Sequence, residues 1–438
     1  MFSIRHLLLR FIYLVRGENV FNNIHELKCL EKITPYALQH YHEIKIGELL
    51  THVTAKSAFY RKLLATTAQR DLKLQFDELP LVDKHVLIDN MDSLIDKDFK
   101  QSFRSTSGTT GSPFRFCKDV YATGYMDAMM YIAYSWHGIE KVDRQARLWG
   151  QAIKTKDMYI QKTKDMIMNR KRLNVFEMTE NRCFEYFKKL QRFKPKYFYS
   201  YSNALYQFAA YLEKSNLDGK TLGVDIAICT GEVLFLHQRE KIAEIFGCKV
   251  VNEYGSTENG IIGFECEYGK MHVMPTVIVE IDNPDENGLG QIVVTELNSR
   301  SIPFIKYKNG DIGKIIKDTC ECKRPYQVIE INEGRIDDYI KCPDGRLVYD
   351  AILAYTLKDY AVQFKAYQEK LDCIKIYIVP NNSYNIASDT KLKNILRKYL
   401  GDGMVVEIYQ VEILPHEQSG KFRYFVSSIN KNTPVAVN

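Results

Sequence analysis

From Ser105 to Pro113 the chain reads Ser-Thr-Ser-Gly-Thr-Thr-Gly-Ser-Pro, a run of hydroxyl side chains and glycines with little apolar surface to bury. It offers hydroxyl donors, exposed backbone N–H groups and freedom at positive φ, which a loop wrapped around phosphates requires. Thr106, Ser107, Gly108, Thr109, Thr110 and Gly111 are the candidate contacts. A flexible Ser/Gly linker is the competing reading, but such linkers are usually longer and flanked by disorder-prone sequence. Here Phe103 precedes the run and Phe114-Arg115-Phe116 follows it, and both flanks read as strand. No Gly-Lys-Ser/Thr closes the loop, so it is not a Walker loop.

Other clusters fall where strands should end, the place where open α/β sheets bind ligands. Thr230-Gly231-Glu232 follows an apolar run ending at Cys229. Asn252-Glu253-Tyr254-Gly255-Ser256-Thr257-Glu258 follows Val250-Val251. A tyrosine face can stack on a purine, glycine admits close backbone approach, and a carboxylate can hold Mg²⁺ on phosphates. Either cluster alone could equally be a polar turn with a helix cap. Tyr307-Lys308-Asn309-Gly310-Asp311, Gly334-Arg335-Ile336-Asp337-Asp338 and Pro415 to Lys421 are further charged turns. Cys266 and His272 flank a glycine-containing turn, and Cys320-Glu321-Cys322 follows later. Three thiolates and an imidazole suit a tetrahedral structural Zn²⁺ site, although reduced cysteines are often merely buried.

The elements that must position these groups alternate. The first hundred residues read as helices, with a strand end and helix cap near Leu79-Pro80-Leu81-Val82-Asp83. Tyr121 to Trp136 reads as a buried helix. From Arg147 to Phe264 short apolar strands alternate with helical patterns, which predicts an α/β architecture. From Val273 to Ile316 the pattern is β-rich. A boundary near Asp337 divides the chain into a large domain, 1–336, and a small α+β domain, 337–438, with a βαβ-like stretch across Leu371–Val379 and Lys391–Leu400.

The chain of 438 residues, 45% hydrophobic and 26% charged, has a globular composition. A net charge of +6 without a long basic block argues against nucleic acid as the partner. Ten cysteines without a secreted spacing, and no cleavable leader, predict reduced thiols in the cytoplasm. Met1 to Val15 is apolar but interrupted by Arg5 and Arg10, with Arg16 just beyond. It reads as a basic amphipathic helix resting on the protein or weakly on an anionic membrane. A homodimer remains open.

In their order along the chain, from Leu79 to Lys421, these motifs resemble the adenylate-forming (acyl-CoA synthetase) superfamily, in its phenylacetate–CoA ligase-like branch with the CapK capsule-biosynthesis proteins. The resemblance implies a large adenylating domain of mixed sheets and a mobile C-terminal domain. It implies an ATP-dependent, AMP-forming ligase that activates a carboxylic acid and transfers it to CoA. Acyl transfer to a capsule or envelope sugar intermediate is the alternative acceptor chemistry, and a non-catalytic nucleotide-binding protein is the alternative of another class. By resemblance, Ser107 to Gly111 holds the ATP phosphates, and Gly231 and Glu232 line the adenine. Tyr254, with Gly255, Ser256 and Thr257 around it, supplies the stacking ring, and Glu258 the Mg²⁺ carboxylate. Asp311 takes the ribose hydroxyls, Arg335 lies beside the ribose, Asp337 is the hinge, and Lys421 reaches in from the small domain. Phe114 departs from the wider pattern, where lysine is common. Similar Cys and His positions in the branch support Zn²⁺ at Cys266, His272, Cys320 and Cys322. The acid is expected among Tyr125, Met129, Gln151, Tyr201, Ser202 and Thr230, an aromatic wall suited to an aryl acid unless these residues are core.

Overall fold

The computed structural model describes residues 4–65, 71–105, 114–150, 155–175, 178–232, 234–333, 339–357, 359–412, 414 and 425–429. Helices over Ile4–Arg16, Val20–Leu30 and Pro35–Lys56, then four shorter ones, lead into an antiparallel pair, β1 (Gln101–Ser105) and β2 (Arg115–Asp119). The pair brackets the Ser/Gly run, whose residues Thr106 to Gly111 lie outside the described residues. The strand reading of both flanks holds, and its register pairs Ser105 with Arg115. Phe114 is a core residue, stacked on Phe116 with ring centres 5.2 Å apart. A lysine there would lose that packing.

The central sheet has eleven strands. They are β3 (Gln145–Trp149), β4 (Arg170–Asn174), β5 (Tyr197–Ser200), β6 (Ile226–Thr230), β7 (Lys249–Ser256), β8 (Gly260–Glu265), β9 (Met271–Val273), β10 (Val277–Asp282), β11 (Gly290–Glu296), β12 (Tyr307–Ile316) and β13 (Val328–Glu333). Their order is β10-β11-β12-β13-β9-β8-β7-β6-β5-β3-β4. β4, β3, β5, β6 and β7 run parallel. From β8 to β10 each pair is antiparallel. Successive side chains of a strand face opposite sides, so Phe198, Ala227 and Val250 pack one core and Tyr199, Ile228 and Val251 another. Helices Glu180–Phe193, Ser202–Lys214 and Leu236–Phe246 cover the first face, and Val20–Leu30 and Val120–Ser135 the second. This is the predicted mixed α/β architecture.

Leaving β3, the chain turns outward to β4 and later returns to β5 on the other side. Such a switch point opens a crevice beyond the carboxyl ends of the strands.

The C-terminal residues form separate sheets. β14 (Tyr339–Lys341) and β15 (Leu347–Tyr349) make a hairpin, and β16 (Ala361–Lys370), β17 (Cys373–Pro380), β18 (Val405–Gln410) and β19 (Phe425–Ser427) a four-stranded sheet. β17 and β18 are parallel and joined by the helix Ile386–Leu400, the βαβ unit expected from sequence. No helix among the described residues is long and apolar enough to cross a membrane.

Candidate active site and metal centre

The carboxyl end of β7 carries Tyr254, whose hydroxyl reaches to β12. It donates to Asp311 Oδ2 at 2.8 Å and accepts from Asn309 Nδ2 at 2.6 Å. Tyr254 and Asp311 are 57 residues apart in sequence, and the sheet brings them together. Glu258 lies in the turn from β7 to β8, with Oε1 3.4 Å from the Tyr307 hydroxyl at the start of β12. That turn is tight: Ser256 Oγ accepts from Asn259 N–H at 2.9 Å. A Cβ on Gly255 would lie 2.3 Å from the Gly260 carbonyl oxygen, so only glycine fits.

Beyond β6, Glu232 Oε2 accepts from the Asn203 N–H at 2.9 Å, in the first turn of the helix Ser202–Lys214. Gly231 has φ +78°, and a Cβ there would lie 3.1 Å from the Tyr201 ring. Tyr201 stacks on Trp149 with centres 4.0 Å apart. The four described clusters, at Gly231–Glu232, Tyr254–Thr257, Glu258 and Asp311, therefore gather around the carboxyl ends of the parallel strands. Arg335, Asp337, Lys421 and Gln151 lie outside the described residues.

Beneath this rim lies a buried polar group that the motifs do not reveal. Glu253, one residue before Tyr254 on β7, is buried two residues beyond Val251. Its Oε1 accepts from the Tyr199 hydroxyl at 2.7 Å, while Oε2 has no hydrogen-bond partner among the described residues. Burial pushes its carboxyl up from the usual carboxylate range, against the pull of the Tyr199 hydrogen bond, the nearby Thr230 hydroxyl and the Arg147 charge. The Arg147 guanidinium lies 4.5 Å from the Tyr199 ring centre and 4.8 Å from that of Trp149. Arg147 Nε and the Tyr134 hydroxyl are likewise unpartnered among the described residues. A buried polar atom without a partner costs about 1–3 kcal/mol, so a cluster of them marks a place for water or for a polar ligand. At two positions of the expected lining the core alternative holds. Tyr125 and Met129 are core: the Tyr125 hydroxyl bonds Glu26 Oε2 at 2.6 Å, and Met129 takes the Thr276 hydroxyl. Their helix is apolar on most sides because it packs against both the sheet and the helix Val20–Leu30.

The cysteines and histidine converge as their residue types predict. Cys266 leaves β8, His272 sits on β9, and Cys320 and Cys322 lie between β12 and β13. Their four donor atoms all lie within 4.8 Å of one another. Cys266 Sγ is 3.6 Å from Cys320 Sγ, and Cys322 Sγ is 3.2 Å from His272 Nε2. The edge of a tetrahedron with Zn–S bonds of about 2.3 Å is about 3.8 Å, so the donor set fits a zinc ion. His272 Nδ1 lies 3.2 Å from the Tyr326 carbonyl, an arrangement that orients Nε2 toward the thiols.

Residues 342–428 match the family model of the CapK C-terminal domain. Protein CapK of Staphylococcus aureus is 22% identical over 402 residues, with 88% of each chain covered. Two solved structures of 2-hydroxyisobutyryl-CoA ligase each superpose with a TM-score of 0.58 over 91% of both chains. One, 16% identical, is the postadenylation state with R3-HIB-AMP, and the other, 18% identical, holds 2-HIB-AMP and CoA in the thioesterification state. The chain shares the fold of 2-hydroxyisobutyryl-CoA ligase, and its C-terminal segment matches the CapK C-terminal domain. The matched segment takes in the sheet β16–β19 and its helix.

Proposed function

We propose that this protein is an ATP-dependent, AMP-forming ligase that activates a carboxylic acid as its acyl adenylate and passes the acyl group to CoA. The observation that carries the reading is the Tyr254–Asp311–Asn309 hydrogen-bond set, which joins an aromatic ring to a carboxylate beside the Glu232 turn. A nucleoside needs those two groups together: a face for the base and an acceptor for the ribose hydroxyls. Thr106 to Gly111 would hold the phosphates and Gly231 and Glu232 the adenine edge. Glu258 would hold Mg²⁺, which neutralises phosphate charge when bound.

In the first step a carboxylate oxygen of the acid attacks the α-phosphorus, and the bond to the bridging oxygen breaks to release pyrophosphate. Two anions meet, so the protein must supply alignment and positive charge rather than a base. Lys421, with Arg335 beside the ribose, would supply the charge. In the second step the thiol of CoA attacks the acyl carbonyl and AMP leaves. We assign 1–336 as the adenylating domain and 337–438 as the mobile domain, turning at Asp337 between the two steps.

Glu253 and Arg147 bear on the acid. A buried carboxyl oxygen and a buried N–H without partners would reject a wholly apolar acyl chain. The favoured acid therefore carries a hydroxyl or amino group, rather than the bare aryl group of phenylacetate. Zn²⁺ at Cys266, His272, Cys320 and Cys322 would be structural, since four protein ligands leave no open position. The second reading of the acceptor is a capsule or envelope sugar intermediate in place of CoA, as the resemblance to the CapK branch implies.

The test is acid-dependent pyrophosphate release from ATP and Mg²⁺, trapped with hydroxylamine, across aryl, fatty, hydroxy and amino acids. Release with one acid class, lost in Lys421→Ala, supports adenylation. AMP release that then needs CoA, or instead a sugar, identifies the acceptor. Nucleotide binding with no turnover on any acid would favour a non-catalytic protein.

A further inference from the structure

The helix Ile4–Arg16 has two faces of different kinds. Leu9 and Tyr13 are buried against the body, with the Tyr13 ring 6.1 Å from that of Phe21. His6 Nε2 meets Glu140 at 3.0 Å. Just past the helix, buried Glu18 accepts from Arg16 at 2.7 Å and from the Thr123 hydroxyl at 2.9 Å. These contacts fix which way the helix faces.

The other face is apolar and uncovered. Ile4, Leu7, Leu8, Phe11, Leu14 and Val15 are all exposed, Ile4 and Leu14 at 82% and 75%. At 3.6 residues per turn these positions fall within about 120° of arc. Arg5 projects along one edge of that arc and Arg10 along the other, with its guanidinium 5.3 Å from the Phe21 ring centre, and the helix contains no acidic residue. An ordinary surface helix turns its apolar stripe inward. This one is held with its stripe outward and its cations along both margins, the arrangement of a helix lying in a membrane interface. The neighbouring helix Thr155–Ile167 packs beside it and also exposes Tyr159 and Met166, with Lys162 Nζ 5.8 Å from the Tyr159 ring centre.

We propose that the outward face of the helix Ile4–Arg16 docks the protein onto a bilayer surface rich in anionic lipid. Charge selects this occupant over a second copy of the chain. Two copies meeting through this face would bring the margins of Arg5 and Arg10 together, whereas anionic headgroups complement them. The apolar side chains would sit among the acyl-chain ends of the headgroup layer, and Arg5 and Arg10 would reach the phosphates.

The experiment is vesicle co-sedimentation of the full chain with pure phosphatidylcholine, and with phosphatidylcholine mixed with phosphatidylglycerol, at low and near-physiological salt. Binding is expected on the mixed vesicles and to weaken with salt. The triple variant Leu7→Ser, Phe11→Ser, Leu14→Ser should lower the partition coefficient by about tenfold or more, and Arg5→Glu with Arg10→Glu should remove the preference for anionic lipid. All five positions are solvent-exposed, so unchanged thermal unfolding shows that the variants fold. Absence of binding to mixed vesicles overturns the proposal. So does full binding by the triple variant, equal binding to neutral vesicles, or a dimer by light scattering that the triple variant dissolves.

Discussion

Removing zinc should lower stability by an amount that the structure lets us work out. The Cys266–Cys320 contact spans 54 residues, and cross-linking a loop of that length in the unfolded chain is worth about 4 kcal/mol of entropy. A zinc ion clamping the β8–β9 turn to the β12–β13 loop would act in the same way. Unfolding entropy near 2.1 cal/mol/K per residue gives about 0.9 kcal/mol/K for a chain of 438 residues. Loss of the clamp should therefore lower Tm by about 4–5 °C. Cys320 and Cys322 are only partly buried, so a chelator can reach the ion. The assay is metal analysis of tag-free protein, then thermal unfolding with and without chelator and in Cys320→Ser. One zinc per chain and a matching Tm loss in both arms are expected. No stoichiometric zinc, or an unchanged Tm in both arms, would refute the reasoning.

Tyr254→Phe keeps the ring but frees Asp311 from its hydroxyl, so the KM for ATP should rise about threefold to tenfold, the worth of one hydrogen bond, with kcat nearly unchanged. Lys421→Ala should lower the adenylation rate by about a hundredfold or more in single-turnover pyrophosphate release, with ATP binding preserved by calorimetry. Glu253→Gln should narrow the kcat/KM ratio between a hydroxylated acid and its deoxy analogue by about tenfold or more; an unchanged ratio would remove Glu253 from acid selection. Lys118→Met should cost about 3–5 kcal/mol in denaturant unfolding because it strands the Glu296 charge, while Lys118→Met with Glu296→Met should recover most of that loss.

How much could be read from the sequence followed the range of the interactions. The apolar runs ending at Cys229 and Val251 marked β6 and β7, and the β-rich stretch from Val273 to Ile316 took in β10, β11 and β12, since period-two burial is local. Glu258 was legible because it sits in a polar turn, and Asp311 because it follows Gly310 in a polar run, although Tyr307 to Asp311 belong to strand β12 rather than to the charged turn expected. Cys266, His272, Cys320 and Cys322 were legible by residue type, although their convergence depends on β8 and β9 pairing next to β13. Glu253 was passed over even though it adjoins Tyr254. Its only signal was strand alternation, which sends neighbours to opposite faces and places a carboxylate where Val251 predicts an apolar residue. Arg147 and Asn309 gave no local signal, since their partners come from other strands. The same holds for Lys118 and Glu296, which pair across 178 residues.

That last pair explains how the candidate site is held. Lys118 and Asp119 end the strand that leaves the Ser/Gly run. Lys118 binds Glu296 at the end of β11, with Nζ 4.5 Å from the Phe304 ring centre. Burial shifts both groups toward neutrality, lowering the lysine and raising the carboxyl, and their mutual attraction opposes it. Asp119 caps Ala122 with one oxygen at 2.8 Å, and with the other accepts from Arg300 and Ser301 N–H at 2.8 and 2.7 Å. Val82 exchanges backbone hydrogen bonds at 3.0 and 2.8 Å with Lys306, just before β12, and with Lys308 on β12, the strand that carries Asp311. A purely apolar core could supply the same stability, since a buried ion pair is often no better than a hydrophobic isostere. It could not fix β2 against β11 and β12 with the same directionality, because hydrogen bonds weaken steeply off axis. The polar frame ties the strand after the Ser/Gly run to the segment that leads into β12. Under the proposed function, a nucleotide spanning the Ser/Gly run and Asp311 needs those two pieces at a set separation, which gives the buried charges a role beyond stability.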